Sequence, residues 1–216
     1  MLAFQPKDTK RLIAAALGNV ENDLAIEGCR IFNVFTKEFL EATVYICDGF
    51  ISHVEYNKKN LALPSKQRLQ LNGILCPGFI DAHTHIESSL LVPEHYAAMV
   101  LPHGTTTVLE DAHEIANVMG VEGIQYMLAA SQDLPMRMLL TLPSCVPSLP
   151  GFESSNAELF AKDYTALFQH PRVAGLGEVM DYEGVLQGEQ RIHDLLLAAK
   201  KHAGYLQGHA PLMEGN

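Results

Sequence analysis

Gly78-Phe-Ile-Asp-Ala-His-Thr-His85 is a short apolar run that ends in a dense group of polar side chains. On a β-strand, successive side chains alternate between the two faces, so His83 and His85 point the same way and their imidazoles can bind one ion. A pair like this is as often structural as functional when it stands alone. Its place at the C-terminal end of a predicted parallel strand favours function, because parallel sheets build their sites there.

After this stretch, β-runs alternate with helical stretches. The predicted strands are Phe79–His85, Thr105–Glu110, Met138–Cys145, Val173–Val179 and Tyr205–His209. The predicted helices are Pro93–Leu101, Val118–Ser131, Asn156–Gln169 and Glu189–His202. This alternation predicts an α/β fold of βαβ units on a parallel sheet. A complete (β/α)8 barrel needs about 250 residues, so about five βα units fit either a partial TIM-type barrel or an open doubly wound sheet.

The N-terminal third of the chain has a different pattern. Residues 1–22 are predicted to form a helical lead-in, with Thr9 as a candidate N-cap and Gly18 as a stop. Residues 23–76 carry short β-rich runs with the hairpin signal Asp48-Gly49 between two of them, which predicts part of a small antiparallel β-sandwich. Residues 77–216 hold the βα units of the truncated barrel.

The composition is that of a soluble globular protein, with 48% hydrophobic and 19% charged residues. A net charge of -10 argues against duplex nucleic acid or an anionic membrane as a partner, because both select clustered Lys and Arg. No run approaches the roughly 20 apolar residues of a membrane helix, and the four cysteines form no C-x-x-C pair. We expect a cytoplasmic protein that binds a small molecule, and a homo-oligomer is an open alternative to a monomer.

Two further predicted strands end in side chains that can bind metal. Glu178 ends the fourth β-run and His209 ends the fifth, so both are expected at the same rim as His83 and His85. Imidazoles with a carboxylate suit Zn²⁺, Mn²⁺ or Fe²⁺ better than Mg²⁺ or Ca²⁺, which prefer oxygen ligands. The alternatives are an ion pair at a strand end for Glu178 and a capping role for His209.

Asp111-Ala-His113-Glu114 follows the second predicted strand and belongs at the same rim. His113 and Glu114 are candidates for contact with substrate or for support of the metal ligands. An N-cap at Asp111 and an acidic first helical turn at Glu114 explain the same residues equally well. The remaining histidines are interpreted as structural, namely His53, His95, His103, His170, His193 and His202.

The motif Pro77-Gly-Phe-Ile-Asp-Ala-His-Thr-His85 resembles the metal-binding signature of the amidohydrolase superfamily. The continuation is similar to the bacterial adenine deaminases, and the resemblance runs from about Asp23 to Pro211. The similar segments are His85-Ile-Glu-Ser-Ser89, Gly104-Thr-Thr-Thr-Val108, His113-Glu-Ile-Ala-Asn-Val-Met-Gly120, Ser144-Cys-Val-Pro147, Gly177-Glu-Val-Met-Asp-Tyr182 and Gly208-His-Ala-Pro211.

The resemblance implies a metal-bearing (β/α)8 barrel with a small β-sandwich, and hydrolysis of adenine to hypoxanthine and ammonia by hydroxide activated at a dinuclear centre. It implies that His83 and His85 bind one ion, that Glu178 bridges two ions, and that His209 binds the second. Mn²⁺ is the favoured ion, with Fe²⁺ and Zn²⁺ as alternatives. The catalytic candidates are Glu178, His113 and Glu114, and the candidate substrate contacts are Glu87, Ser88 and Asp111.

Two features depart from the family pattern. Ala112 stands where members usually have proline, which puts little in doubt. After Pro211 the sequence no longer resembles the family. We therefore expect this chain to lack the later strands, which carry a further metal-binding histidine and a catalytic aspartate in the family. Its deaminase activity is expected to be weak or absent. The alternatives are another cyclic amide or amidine hydrolase, of the dihydroorotase or hydantoinase type, and a non-catalytic metal- or purine-binding remnant.

Overall fold

The chain folds as two compact units, which are divided between Pro77 and Gly78. The computed structural model describes residues 6, 8–56, 62–149, 151–202, 205–210 and 214. Pro211, which completes the last of the similar segments, lies outside the described residues. The helix of the lead-in and the β-rich segment belong to the same unit.

The first unit combines a β-sheet with a helix. Its elements are α1 (Thr9–Ala16), β1 (Asn22–Asn33), β2 (Glu38–Cys47), β3 (Phe50–Tyr56), β4 (Ser65–Gln70) and β5 (Ile74–Leu75). β1, β2 and β3 pair in antiparallel fashion, as predicted, whereas β4 and β5 pair with β1 in parallel. The sheet is therefore mixed and not wholly antiparallel. The reason is that the chain crosses from β3 to the far side of β1 and re-enters in the same direction.

Hydrogen bonds fix the start of α1 and tie the helix to the sheet. The N-cap is Asp8, whose carboxylate accepts from the backbone nitrogen of Arg11 at 3.1 Å, and Thr9 is the first helical residue rather than the cap. The buried amide of Asn22, the first residue of β1, donates to the carbonyl of Ala15 at 3.2 Å. An N-cap of this kind is typically worth about 1 kcal/mol of helix stability.

The second unit is a parallel β-sheet with helices between its strands. Its elements are β6 (Phe79–Thr84), α2 (Pro93–Val100), β7 (Thr105–Asp111), α3 (His113–Met119), α4 (Val121–Ala130), β8 (Arg137–Leu142), β9 (Val173–Val179), α5 (Tyr182–Gln187), α6 (Gln190–His202) and β10 (Tyr205–Gly208). In the described part of the chain the strand order is β10-β9-β8-β7-β6, all parallel. This confirms the predicted parallel sheet.

The sheet curls, so that its two edge strands approach each other. β6 and β10 lie at opposite ends of the strand order. Even so, the side-chain amide of Gln207 in β10 donates to the carbonyl of Ala82 in β6 at 2.7 Å. An open doubly wound sheet would keep its two edges apart, so the curl favours the partial TIM-type barrel.

Residues 156–169 do not form the predicted helix. Among them, the structure has only short 3-10 turns, at Ala161–Tyr164 and Leu167–Gln169. The backbone nitrogen of Asn156 donates to the carbonyl of Asn117, at 2.9 Å, instead of to a neighbour in its own segment. An α-helix would have the backbone nitrogen of Phe160 donate to the carbonyl of Asn156. It donates instead to the carboxylate of Asp163, at 2.9 Å.

The other helices largely follow the sequence pattern, with two differences. The predicted helix Val118–Ser131 is interrupted at Gly120, whose φ of +62° lies in the left-handed region and separates α3 from α4. α5 was not predicted, although Asp181 caps it by accepting from the backbone nitrogen of Gly184 at 2.9 Å. Within the described part of the chain, no helix has both the length and the hydropathy of a membrane span.

The core of the second unit lies between the sheet and its helices. Met138, Leu140 and Leu142 alternate along β8 and are almost completely buried. They belong to one apolar cluster with Ile124 of α4 and Leu195 of α6. This packing holds the strands against the helices. It therefore fixes the positions of the strand ends, where the polar side chains lie.

Leu140→Ala should lower the free energy of unfolding by about 2–5 kcal/mol, because it leaves a cavity in this core. Leu197→Ala is the matched control, since Leu197 is 63% exposed on α6 and surface substitutions usually stay within about 0.5 kcal/mol. Urea unfolding followed by circular dichroism measures both values. Equal losses at the two positions would contradict this account of the core.

Candidate metal centre

His83 and His85, at the end of β6, meet Glu178, at the end of β9. The Nε2 atoms of the two histidines lie 3.0 Å apart. Oε2 of Glu178 lies 3.5 Å from Nε2 of His83 and 3.4 Å from Nε2 of His85. Two ligands bound tetrahedrally to one ion at about 2.1 Å lie about 3.4 Å apart. The three atoms therefore have the spacing that a shared ion requires.

Hydrogen bonds at the other ring nitrogens leave both Nε2 atoms free to bind an ion. Nδ1 of His85 lies 2.8 Å from the carbonyl oxygen of Asp111, which can only accept, so Nδ1 carries the proton. Nδ1 of His83 lies 2.7 Å from Oε1 of Gln207. Two Nε2 lone pairs at 3.0 Å repel each other unless a cation lies between them. The donor set therefore fits a metal ion.

Glu178 lies between these two histidines and His209, the residue that ends the fifth predicted strand. Its Oε2 faces His83 and His85, while its Oε1 contacts Nδ1 of His209. The side chain of Glu178 is buried, and Ser144 donates a hydrogen bond to its backbone carbonyl. The structure thus brings together the four predicted ligands, with a different oxygen of one carboxylate turned toward each side.

Asp111 lies fully buried beneath this cluster. Its Oδ2 accepts from the backbone nitrogen of Glu178 at 2.6 Å. The adjacent Gly177 makes this approach feasible, since a Cβ there would lie 2.2 Å from Oδ2. Burial raises the pKa of Asp111. Burial lowers the pKa of His85, but the Asp111 carbonyl and the carboxylates of Asp111, Glu114 and Glu178 outweigh it and raise that pKa overall.

The predicted residues from the loop after β6 and from the start of α3 gather beside the ligands. The ring of His113 packs edge-on against that of His85, with centroids 4.5 Å apart. Ser88 donates a hydrogen bond to Glu114. Glu87 accepts from the backbone nitrogen of Ile115 at 3.2 Å. The N-cap of α3 is Ala112, which forms no side-chain cap bond, so the alternative of an N-cap at Asp111 is wrong.

Sequence reasoning missed two residues that contact this rim, Glu110 and Gln207. Glu110 is fully buried and accepts from the backbone nitrogen of Ile86 at 2.9 Å. Burial raises the pKa of Glu110, and the neighbouring carboxyl group of Glu87 raises it further. The raised pKa favours the protonated form of this carboxyl at neutral pH. Gln207 lies two residues before His209, and this period of two on a strand was the available signal.

Glu110→Gln should remove a pH dependence of stability while keeping nearly the same shape. A carboxyl whose pKa is raised on folding stabilises the fold fully below its ordinary pKa, and this stabilisation declines as pH rises, by up to about 1.4 kcal/mol per unit. Relative to the parent, the variant should therefore become more stable as pH rises from about 5 to about 8. Urea unfolding at several pH values measures this difference.

Glu122→Gln, at an exposed position on α4, supplies the background for that comparison. A difference between Glu110→Gln and the parent that stays constant with pH would show that Glu110 is ionised in the folded chain.

Comparison with known proteins supports a family. The sequence profile of the amidohydrolase family matches residues 74–216. The chain is 42% identical to an adenine deaminase of Methanothrix thermoacetophila over 204 residues, which are 94% of this chain and 35% of that protein. It is 41% identical to adenine deaminase 2 of Desulfotalea psychrophila over 209 residues, which are 96% of this chain and 35% of that protein. The chain thus spans about a third of the length of these relatives.

A solved structure bears on the fold alone. A D-aminoacylase mutant in complex with CuCl2 aligns with a TM-score of 0.50 and 15% identity, over 82% of this chain and 44% of that chain. Together with the curled parallel sheet, the family match confirms the prediction of a partial TIM-type barrel. Because the family profile covers most of the sequence, including the residues of the rim, this chain belongs to the amidohydrolase family.

Proposed function

We propose that this chain carries the metal-binding part of an adenine deaminase site, which hydrolyses adenine to hypoxanthine and ammonia. The observation that carries the proposal is the meeting of His83, His85 and Glu178, whose ligand atoms all lie within 4.8 Å of one another. The identities of 42% and 41% to the two adenine deaminases described above support adenine as the substrate.

The four predicted ligands divide between two ions. His83, His85 and Glu178 would hold one ion, and Glu178 and His209 would hold the other. Mn²⁺ is favoured, with Fe²⁺ and Zn²⁺ as alternatives, because imidazole and carboxylate ligands suit all three. Divalent ions, when bound, lower the pKa of water and stabilise negative charge that develops on the substrate.

The residues beside the ligands are suited to proton transfer. In the net reaction, oxygen from water binds C6 of adenine, the bond from C6 to the amino nitrogen breaks, and ammonia leaves. Protons therefore move from the water to the departing nitrogen, and we assign this transfer to Glu114 and His113. Glu114 is held by the hydroxyl of Ser88, and His113 packs on His85. Glu87 and Ser88 are the proposed contacts with adenine.

Asp111 takes a different part in this proposal from the one expected from its sequence position. Its side chain is fully buried, and its carboxylate accepts from the backbone nitrogen of Glu178. These contacts suit a residue that positions Glu178 better than one that touches adenine. We therefore assign Asp111 to positioning.

Glu178→Gln should weaken Mn²⁺ binding by more than about 100-fold, since changes in residues that only support ligands already cost 10- to 100-fold. An amide is neutral and a much poorer ligand than a carboxylate. Glu183→Gln, at an exposed position on α5, is the matched control and should bind as the parent does. Equilibrium dialysis with elemental analysis measures the affinity. Equal binding by both variants would contradict the proposed ligand set.

The chain loaded with Mn²⁺ should convert adenine to hypoxanthine slowly, well below the roughly 1 to 1,000 turnovers per second of ordinary enzymes. Chromatography of the purines and an ammonia assay measure this conversion, which Glu178→Gln should abolish. Ring opening of dihydroorotate or hydantoin without conversion of adenine would contradict the assigned substrate. Turnover of adenine at an ordinary rate would contradict the expected low activity.

A further inference from the structure

Gln207 joins the metal-binding rim to the last described strand. Its Oε1 lies 2.7 Å from Nδ1 of His83. Its Nε2 lies 2.7 Å from the carbonyl oxygen of Ala82 and 2.9 Å from the hydroxyl oxygen of Tyr205. All three contacts are within hydrogen-bond distance, so the amide group uses both of its ends.

These contacts determine which way round the amide of Gln207 lies. The carbonyl of Ala82 can only accept a hydrogen bond, so the amino group of the amide must face it. The amide oxygen then faces His83, and an oxygen of this kind also only accepts. Nδ1 of His83 therefore carries the proton, and its Nε2 presents a lone pair toward His85 and Glu178.

We propose that Gln207 is a positioning residue of the metal site, which holds His83 in the tautomer that can bind an ion. The proposal rests on the metal-binding function proposed above. A free neutral imidazole exchanges its proton between the two nitrogens, and a proton on Nε2 of His83 would occupy the position of the metal bond. A hydrogen-bond acceptor at Nδ1 disfavours that form and leaves the Nε2 lone pair available to the ion.

The same side chain also has a second role that can be measured separately. β6 and β10 are the two edges of the curled sheet, and His83 and Gln207 are 124 residues apart in sequence. The bond from Nε2 of Gln207 to Ala82 therefore links two distant strands. The amide oxygen accepts from the imidazole of His83, and the amide nitrogen donates across the two strands. A substitution can therefore keep one of these hydrogen bonds and remove the other.

Gln207→Met removes both the acceptor and the donor of the amide at similar side-chain length. Gln207→Glu keeps an oxygen acceptor but loses the donor to Ala82. Gln187→Met, at an exposed position on α5, is the control. Mn²⁺ titration, with free ion counted by electron paramagnetic resonance, gives the affinity. We expect a loss of about 10- to 100-fold for Gln207→Met, recovery of most of it in Gln207→Glu, and no change for Gln187→Met. Thermal unfolding should show a loss of stability in both Gln207 variants.

Nitrogen NMR of the metal-free chain reads the tautomer directly. The parent and Gln207→Glu should show His83 protonated at Nδ1, and Gln207→Met should show a mixture of both forms. Affinity that falls equally in Gln207→Met and Gln207→Glu, in step with stability, would overturn the proposal and leave Gln207 a purely structural residue. If the parent binds Mn²⁺ and Gln207→Met binds it equally well, the inference fails alone. If the parent binds no Mn²⁺, the proposed function itself fails.

Discussion

The candidate site depends on the contacts of Asp111, the last residue of β7. Its backbone carbonyl orients the ring of His85, and its carboxylate holds the backbone of Glu178 across the intervening strand β8. Gly177 has no side chain, which lets the carboxylate approach so closely. One residue therefore sets the position of ligands from two other strands, and a shift of β7 would disturb both.

Much of the second unit could be predicted because its signals are local. A period of two along β6 places His83 and His85 on one face, and the shared rim of parallel strands brings Glu178 and His209 to them. Neither step needs knowledge of distant contacts. The mixed sheet of the first unit was harder, because only the turn at Asp48-Gly49 has a local signal and the parallel pairing of β4 with β1 has none.

Several of the failures involve contacts between residues far apart in sequence. The backbone of Asn156 bonds to Asn117, a contact with α3 that the local sequence pattern does not reveal. Gln207 is significant only because the curl of the sheet brings it to His83. Glu110 was predicted only as the last residue of a strand, yet it is fully buried and its pKa is raised by that burial. Sequence patterns indicate which residues can act, but tertiary contacts decide which residues support them.

The electrostatics of the rim favour a cation over the ion pair first considered for Glu178. Among the described residues, the ion-pair partners of Glu178 are imidazoles, not Lys or Arg. An unpaired buried carboxylate costs several kcal/mol, and Glu110 avoids that cost by keeping its proton. His83 and His85 turn lone pairs rather than N–H donors toward Oε2 of Glu178, because the hydrogen bonds of both rings are made at Nδ1. A divalent ion between these three groups would replace their mutual repulsion with attraction. The hydrogen bonds that set the two tautomers therefore also favour a bound cation.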